Sequence, residues 1–580
     1  MKSPRKHCLN AVAQECCTPP SVSIADLMDG RHFAPFTGCE TLEAWDVIVL
    51  GDGPAALRSA SESAKQGAST LMLSTSALGS GANLSQDGLA AILQESNNRD
   101  HREDTIKHGS FLNDQDIVAA RTSAAVRQID LLERWGVNFR RDANGVPMVR
   151  KGPGHQKSRN ADAGDATGRE VQQILEEQCM RHGVVRRGDH LPISLIHTNQ
   201  SISGITVIDM MNGRIAALQA KAVIIADGGF EGAYTHGVVG LGLDLALQAG
   251  IPLRDMEFIS HTPLGIKDTN LTLPLGLLYD GATLHESNGT EIEVREGLDA
   301  MCQAVRQANE PVLDARNLGE SSEWWKAVFR TVQQRTGINM EHQTVAIESR
   351  PYSTIGGITV DEHGRAILST WSRWFTGLYA AGAASCSGLH GADVLVGNIL
   401  LDELHGGAAA GLHAGEFVKK RQFKNVKAAH ESEQQAIADF GASTSSDEGA
   451  VVRIGHVTSQ VRDTVQSALG TPRTSAGLQA GIEALESASV LAESIFVDQK
   501  SLIANTNLLE IARIQASIRI STVAMHAALA RTETRGSHHR ADFPDADDEQ
   551  IHHYTVNLSG EVKTLALRKS KTGNWLLPPQ

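Results

Sequence analysis

At 580 residues, with 41% hydrophobic and 21% charged side chains, the chain has the balance of a globular protein and exceeds what one core organises, so three or four structural units are expected. Its net charge of -14, with basic residues spread out, excludes a nucleic-acid binder, and the lack of any run of about 18 apolar residues excludes direct membrane insertion. Met1 to Leu9 carries basic residues with no apolar run behind them, unlike a secretory signal, and seven cysteines are too sparse for a disulfide framework, so a cytoplasmic location is expected.

Residues 1–43 mix Pro, Ser and Cys without periodicity and read as an irregular extension. Cys8, Cys16, Cys17 and Cys39 fall there, but without paired C-x-x-C spacing, so no metal site is expected. Order begins at Trp45–Leu50, a buried-strand run, followed by Gly51-Asp52-Gly53-Pro54-Ala55-Ala56, a helical stretch to Gly67 and a strand at Thr70–Leu73. Strand, glycine turn, helix and strand in about 30 residues make a dinucleotide-binding unit. In its G-x-G-x-x-A frame Gly51 allows the tight turn, Gly53 lets a pyrophosphate approach the backbone, and the helix opening at Pro54, Ala55 and Ala56 presents its positive end. Asp52 must then point away from the phosphates.

Two later runs, Ala222–Ala226 before Asp227-Gly228-Gly229 and Gly377–Ala381 before Gly382, read as strands of the same parallel sheet, each turning sharply where ligands of such sheets bind. Residues from about 241 to 350 have mixed patterning and form a separate lobe. Helical spacing follows in Val452 to Leu469, Ala476 to Ile495 and Leu508 to Leu529. The tail reads as a hairpin, Tyr554–Leu558 and Val562–Leu567 about Ser559-Gly560, with His552 and His553 as solvated surface residues.

The segment Ser80 to Ala91 carries a specific resemblance through Ser80, Gln86, Gly88, Ala90 and Ala91. It is similar to the stretch ending A-Q-G-G-I-A-A that lies along the flavin in the flavoprotein subunits of succinate dehydrogenase and fumarate reductase and in aspartate oxidase. Ala163 to Glu170, Asp255-Met256-Glu257-Phe258, Gly377 to Gly382 and Gly388 to Ala392 continue the resemblance in the family's order. Arg531 to Arg540, with Asp542-Phe543-Pro544 and Asp547 to Glu549, is similar to its R-T-E-S-R-G-x-H-x-R-x-D-x-P segment.

The resemblance implies an α/β fold: an FAD-binding Rossmann-like domain with an inserted α+β capping domain, a C-terminal helical domain and a short β-hairpin tail. The boundaries expected are 44–240 and 351–415 for the FAD-binding domain, 241–350 for the cap, 416–545 for the helical domain and 546–580 for the tail. FAD is the implied cofactor, held by Gly51, Gly53, Pro54, Ala55, Ala56, Ser80, Gln86, Gly88, Asp165, Ala226, Gly228, Gly382, His390, Asn398 and Leu400. The family's respiratory members bond FAD to a histidine where this chain has Gly81, so non-covalent attachment is expected.

The family's chemistry, hydride transfer between flavin N5 and a carbon beside a carboxylate, needs cations and a proton shuttle. Here its F-H-P-T-G loop is matched by His261 to Gly265, with Thr262 at the histidine and Leu264 at the threonine. The shuttle arginine of R-G-E-G-G aligns near Leu278, a second histidine with Tyr352, and the carboxylate-binding arginine with Val394. Two carboxylates of the family's cofactor motifs are also replaced, by Leu241 and Ala383.

Two readings stand. One is an FAD-dependent oxidoreductase acting on a small molecule other than a simple dicarboxylate, with Tyr352, His261 and Thr262 as catalytic candidates on loops facing the flavin from opposite sides. The other is a non-catalytic flavoprotein-like subunit kept for assembly. An iron-sulfur or other electron-transfer subunit is implied as partner by the resemblance alone.

Overall fold

Trp45, Val47, Ile48, Val49 and Leu50 are all buried because the strand Glu43–Leu50 has a neighbour on each edge and helices across its faces. In the computed structural model, which describes residues 42–77, 87–93, 98–235, 239–292, 297–368, 373–443, 452–497 and 501–579, this strand pairs in parallel with Thr70–Leu73 and with Arg214–Ile225. Val185–Arg187 and Trp374–Ala380 extend the parallel sheet at its two ends. A strand buried on both faces needs apolar residues at consecutive positions, which is why these runs show no alternation.

The run expected at Ala222–Ala226 is the end of a longer strand, Arg214–Ile225. Its first half pairs antiparallel with Ser201–Asp209, while Leu218 to Ile225 lies along Glu43–Leu50. His190–Thr198 adds a third antiparallel strand. The helix Pro54–Lys65 packs against Asn398–Val418 so closely that a Cβ on Gly411 would stand 2.2 Å from the Ser59 carbonyl oxygen.

The cap is the expected α+β lobe. Ile259–Ile266, Val345–Thr354, Pro311–Asp314 and Thr283–Glu286 form an antiparallel sheet, covered by helices that bury Leu298, Met301 and Val305 and Val328, Phe329 and Val332. Ile259–Ile266 and Val345–Thr354 are adjacent, hydrogen-bonded strands. The segments carrying His261 and Tyr352 therefore lie side by side in one sheet, and the expected opposed arrangement is corrected.

Helices Ile454–Leu469, Ser475–Glu493 and Thr506–Ala530 present Val457, Val461, Val465, Leu478, Ile482, Leu485 and Ile514 to one core, shared with Leu241, Leu245 and Leu247 of the helix Leu241–Gln248 and with Ile48, Leu50, Val223 and Ile225 of the parallel sheet. Each such side chain taken from water contributes roughly 1.5–3 kcal/mol, so the helical domain is bonded to the sheet rather than strung beside it. No described helix is long and apolar enough to cross a membrane.

The tail hairpin, His553–Val556 with Val562–Leu565, does not stand alone. Its first strand pairs with Leu253–Arg254, which pairs in turn with Gly357–Thr359. His553 is consequently buried, with Nδ1 2.8 Å from Asp255 Oδ2. Its expected place on the solvated surface is corrected: with Leu253–Arg254 on one edge and Val562–Leu565 on the other, all four residues of His553–Val556 are buried.

Candidate active site

The nucleotide turn is built from backbone. Gly51 has φ +117°, and a Cβ there would meet the Ala226 carbonyl oxygen at 2.2 Å. Gly53 and Gly228 have open space where a side chain would be. Gly53 precedes the helix Pro54–Lys65, whose first turn, including Ala55 and Ala56, receives no side-chain cap. A second uncapped N-terminus begins at Asn398 behind Gly397, which has φ +84°. The helix start after Gly53, with open space at Gly53 and Gly228, fits a pyrophosphate, and the uncapped start behind Gly397 offers further N–H groups. Asp52 is turned aside, its carboxylate accepting from the Ser74 and Ser76 hydroxyls at 3.2 and 2.9 Å.

Other expected cofactor residues serve more local ends. Ala226 closes its strand by donating to Leu50 O, Gly88 has φ +93° with its missing Cβ pointed at Ala161 O, and Gly382 has φ +63° beside Ala55. Leu400 buries its side chain in the core, leaving only its backbone for a ligand. Asn398 donates through Nδ2 to Thr105 Oγ1 at 3.0 Å, and its Oδ1 lies 2.8 Å from His101 Nε2. The carboxylate of Asp165, expected at the cofactor, instead accepts from the N–H groups of Ala327 and Val328 at 2.7 and 3.1 Å, starting a helix of the cap. Among the described residues His390 Nδ1 is buried with no hydrogen-bond partner, and burial lowers its pKa. Ser80 and Gln86 lie outside the described residues.

Beyond the second helix start the polar groups converge on Asp87. The segment holding it is stitched down by Ala90 N donating to Gly397 O at 3.1 Å and by Asn160 Nδ2 donating to Asp87 O. The Asp87 carboxylate accepts from Tyr352 Oη at 2.5 Å and from Leu275 N at 2.6 Å. Burial pushes its pKa up to about 7, against the lowering effect of those two donors. Burial and the facing Asp87 carboxyl also hold the Tyr352 phenol well above its ordinary value. Tyr279 is close by, its hydroxyl buried without a partner among the described residues and Arg150 over its ring at 5.7 Å.

The cations near this pair are occupied. Arg140 Nη2 donates to Asp280 Oδ2 at 2.9 Å, Arg150 bonds both Asp280 and Asp162, and Trp325 Nε1 donates to Asp280 at 2.7 Å. Thr262 is fully buried, its Oγ1 accepting from Leu264 N at 3.3 Å. His261 serves a different space. Its Nδ1 donates to Ile259 O at 2.9 Å, and its ring lines a cavity of about 890 Å³ with Tyr234, Arg306, Arg462 and Gln466, of which Tyr352 is not a wall. Burial, with Arg306 and Arg473 adding to it, lowers the His261 pKa to about 3.

Residues 46–400 match the FAD binding domain family, and residues 458–579 match the fumarate reductase flavoprotein C-terminal family. The chain belongs to the succinate dehydrogenase and fumarate reductase flavoprotein family. FAD is its cofactor and oxidoreduction its class. It is 27% identical to the succinate dehydrogenase flavoprotein subunit of Rickettsia bellii, over 90% of this chain and 94% of that one. It is 26% identical to the fumarate reductase flavoprotein subunit of Haemophilus influenzae, over 89% and 92%. A quinol-fumarate reductase solved with menaquinol shares the fold at TM-score 0.85 and 24% identity, covering 93% of this chain and 99% of that one. Adenylylsulfate reductase from Archaeoglobus fulgidus shares it at TM-score 0.71 and 15% identity, covering 92% and 97%.

Beside Leu241, expected in place of a cofactor-motif carboxylate, Asp227 accepts from Gly242 N at 2.8 Å and, among the described residues, keeps Oδ1 buried and unpartnered. Beside Ala383, expected in place of another, Glu403 lies next to Gly382, and burial raises its pKa to about 8. Val394, expected at the family's arginine, is buried with Leu112, Phe258, Ile355 and Ala392. Sequence reasoning passed over Asp87, although a carboxyl in the glycine position of A-Q-G-G was visible between Gln86 and Gly88. Asp227, Glu403, Arg140 and Arg150 carried no comparable local signal.

Proposed function

We propose that this flavoprotein transfers hydride between non-covalently held FAD and a substrate other than a simple dicarboxylate, with Tyr352 at the reacting face. The carrying observation is the buried Asp87–Tyr352 hydrogen bond of 2.5 Å, beside two arginines that are already bound by Asp162 and Asp280. A buried carboxyl repels a substrate carboxylate, and each charged hydrogen bond that is missing forfeits about 1.5–3 kcal/mol of grip. The buried Val394 leaves no cation to replace them.

Bound FAD supplies the two-electron chemistry. The first-turn N–H groups after Gly53 and Gly397 would hold its pyrophosphate and ring edge, and Asp227 and Glu403 its hydroxyls. Electrons leave to a separate iron-sulfur or other electron-transfer subunit, a reading supported by the relatives' being subunits by name.

Anaerobic mixing with candidate substrates, read at the flavin absorbance, tests this. Succinate, fumarate and L-aspartate should give no turnover, and Tyr352→Phe should slow reduction by an active substrate about 100-fold or more. Fumarate turnover at about 1 per second or faster, an ordinary enzymatic rate, would overturn the substrate reading. Failure of every compound in a broad screen would instead favour an assembly role without catalysis.

A further inference from the structure

We infer that Asp87 is the proton-exchanging group of this site, with Tyr352 as its relay, and that the substrate it meets is an uncharged alcohol, amine or the corresponding carbonyl or imine. The inference rests on the oxidoreductase reading above and specifies its chemistry.

Position comes first. FAD binding is a property of this family, and the nucleotide turn at Gly51 and Gly53 opens the helix Pro54–Lys65, which packs against Asn398–Val418. Ala90 N donates to Gly397 O at the start of that second helix, and Asn160 Nδ2 donates to Asp87 O, so the segment carrying Asp87 is fixed beside it. Leu275 N and Tyr352 Oη both come from the cap, which puts the carboxyl where the cap meets the sheet domain.

Charge comes second. Asp87 is faced by Tyr352 from the strand Val345–Thr354, Tyr279 from Gly276–Tyr279, and Asp162 near the strand Asn160–Ala161. Arg150 and Asp280 neutralise one another there, and Glu403 looks toward Tyr352 from the long helix. Arg140, paired with Asp280 and 3.8 Å from Asp162, completes the balance of the two arginines against the two aspartates, so burial is the main cause that raises the Asp87 pKa. That pKa of about 7 leaves both protonation states populated near neutrality, the condition that favours proton exchange. A substrate bringing its own carboxylate would add another negative charge, and the described arginines beside the site, Arg140 and Arg150, are already ion-paired. An O–H or N–H group can donate to Tyr352 Oη while the Tyr352 proton goes to Asp87.

The step balances for an alcohol. The substrate O–H proton passes to the Tyr352 oxygen as the Tyr352 proton passes to Asp87 Oδ2. The C–H bond breaks with its electron pair, which FAD, when bound, would accept as hydride, and the C=O bond forms. Asp87 ends neutral and the product leaves as a ketone or aldehyde. Reduction is the reverse, and Asp87 then begins protonated.

A purely structural Asp87–Tyr352 bond, pinning cap to groove, would not require a titrating carboxyl or a pH-dependent rate. Infrared difference spectra of the FAD-loaded and flavin-stripped protein between pH 5 and 9 should show a carboxyl C=O band titrating near pH 7. That band should be absent in Asp87→Asn and should titrate higher in Tyr352→Phe, which removes a donor to the ionised form. Stopped-flow flavin reduction by a panel of neutral secondary alcohols, amino-group compounds and short-chain aldehydes' parent alcohols should slow 100-fold or more in Asp87→Asn and lose its pH dependence. A band that persists in Asp87→Asn, or equal reduction rates in Asp87→Asn and wild type, overturns the proton role alone. A wild-type flavin that none of the panel reduces, but that another class does, overturns the substrate class; one that nothing reduces overturns the functional reading with it.

Discussion

The imidazole Nδ1 of His553 lies 2.8 Å from the Asp255 carboxylate, joining positions 298 residues apart in the chain. Asp255 sits at the entrance to the cap with φ +56°, and its neighbour Arg254 bonds Cys386 O at 2.7 Å. The tail strand is thereby clamped to the root of the cap, in the interior rather than on the surface. His553→Ala should destabilise the protein by about 1–3 kcal/mol, the usual cost of leaving a buried polar group short of a partner. The same change at half-buried His552 should have little effect. Urea unfolding of the two variants measures the difference, and equal midpoints would contradict the clamp. Although burial acts the other way, His553, Arg254 and Arg531 hold the Asp255 pKa below its ordinary value, so its contribution is present above about pH 4 and is lost on further acidification.

The two glycines of the nucleotide turn should fail differently. A Cβ on Gly51 would stand 2.2 Å from Ala226 O at a φ that L residues rarely adopt, so Gly51→Ala should lower the melting temperature of the flavin-free protein or prevent folding. Gly53 has φ -80° and nothing within 4 Å, so Gly53→Ala should melt normally yet bind FAD about 10-fold or more weaker, because its new methyl fills the pyrophosphate space. Calorimetry of the apoprotein and flavin fluorescence titration separate the two effects. Unchanged FAD affinity in Gly53→Ala would place the phosphates elsewhere.

With Gly81 where the family's respiratory members have a histidine, the flavin has no side chain to bond there. Acid precipitation of the holoprotein should release all its yellow colour to the supernatant. Flavin retained on the washed pellet would show a covalent link at another residue.

Asp87 also has a signature in stability. Its folded pKa of about 7 lies above the ordinary carboxyl value of 3.8, so the native state holds the proton more tightly than the unfolded chain does. Stability from this group is full below about pH 4 and is lost as pH rises through about 7. At about 1.4 kcal/mol per pKa unit the loss is on the order of 4 kcal/mol at most. Asp87→Asn escapes it, so the variant should gain on wild type between pH 5 and pH 8 in thermal melts. Parallel pH profiles would mean that Asp87 stays ionised in the folded protein.

The nucleotide turn was legible in the sequence because its parts are local: strand, Gly51, Gly53 and helix follow one another, and the contacts they offer are backbone N–H groups whose geometry the glycines dictate. The helices after residue 451 were legible for the same reason, since Val457, Val461 and Val465 repeat at helical spacing. The expected loss of the dicarboxylate cations at Leu278, Tyr352 and Val394 rests on the order of motifs in the sequence alone. What stands there instead could not be read from it. Tyr352 reaches Asp87 across 265 residues, Arg140 reaches Asp280 across 140, and His261, one place from the family's histidine, is directed into another cavity. Side-chain hydrogen bonds of this kind depend on which strands the cap sets side by side and on which way each residue faces. Periodicity along one segment carries no information about either, so only the packed tertiary structure could bring Asp87 and Tyr352 together.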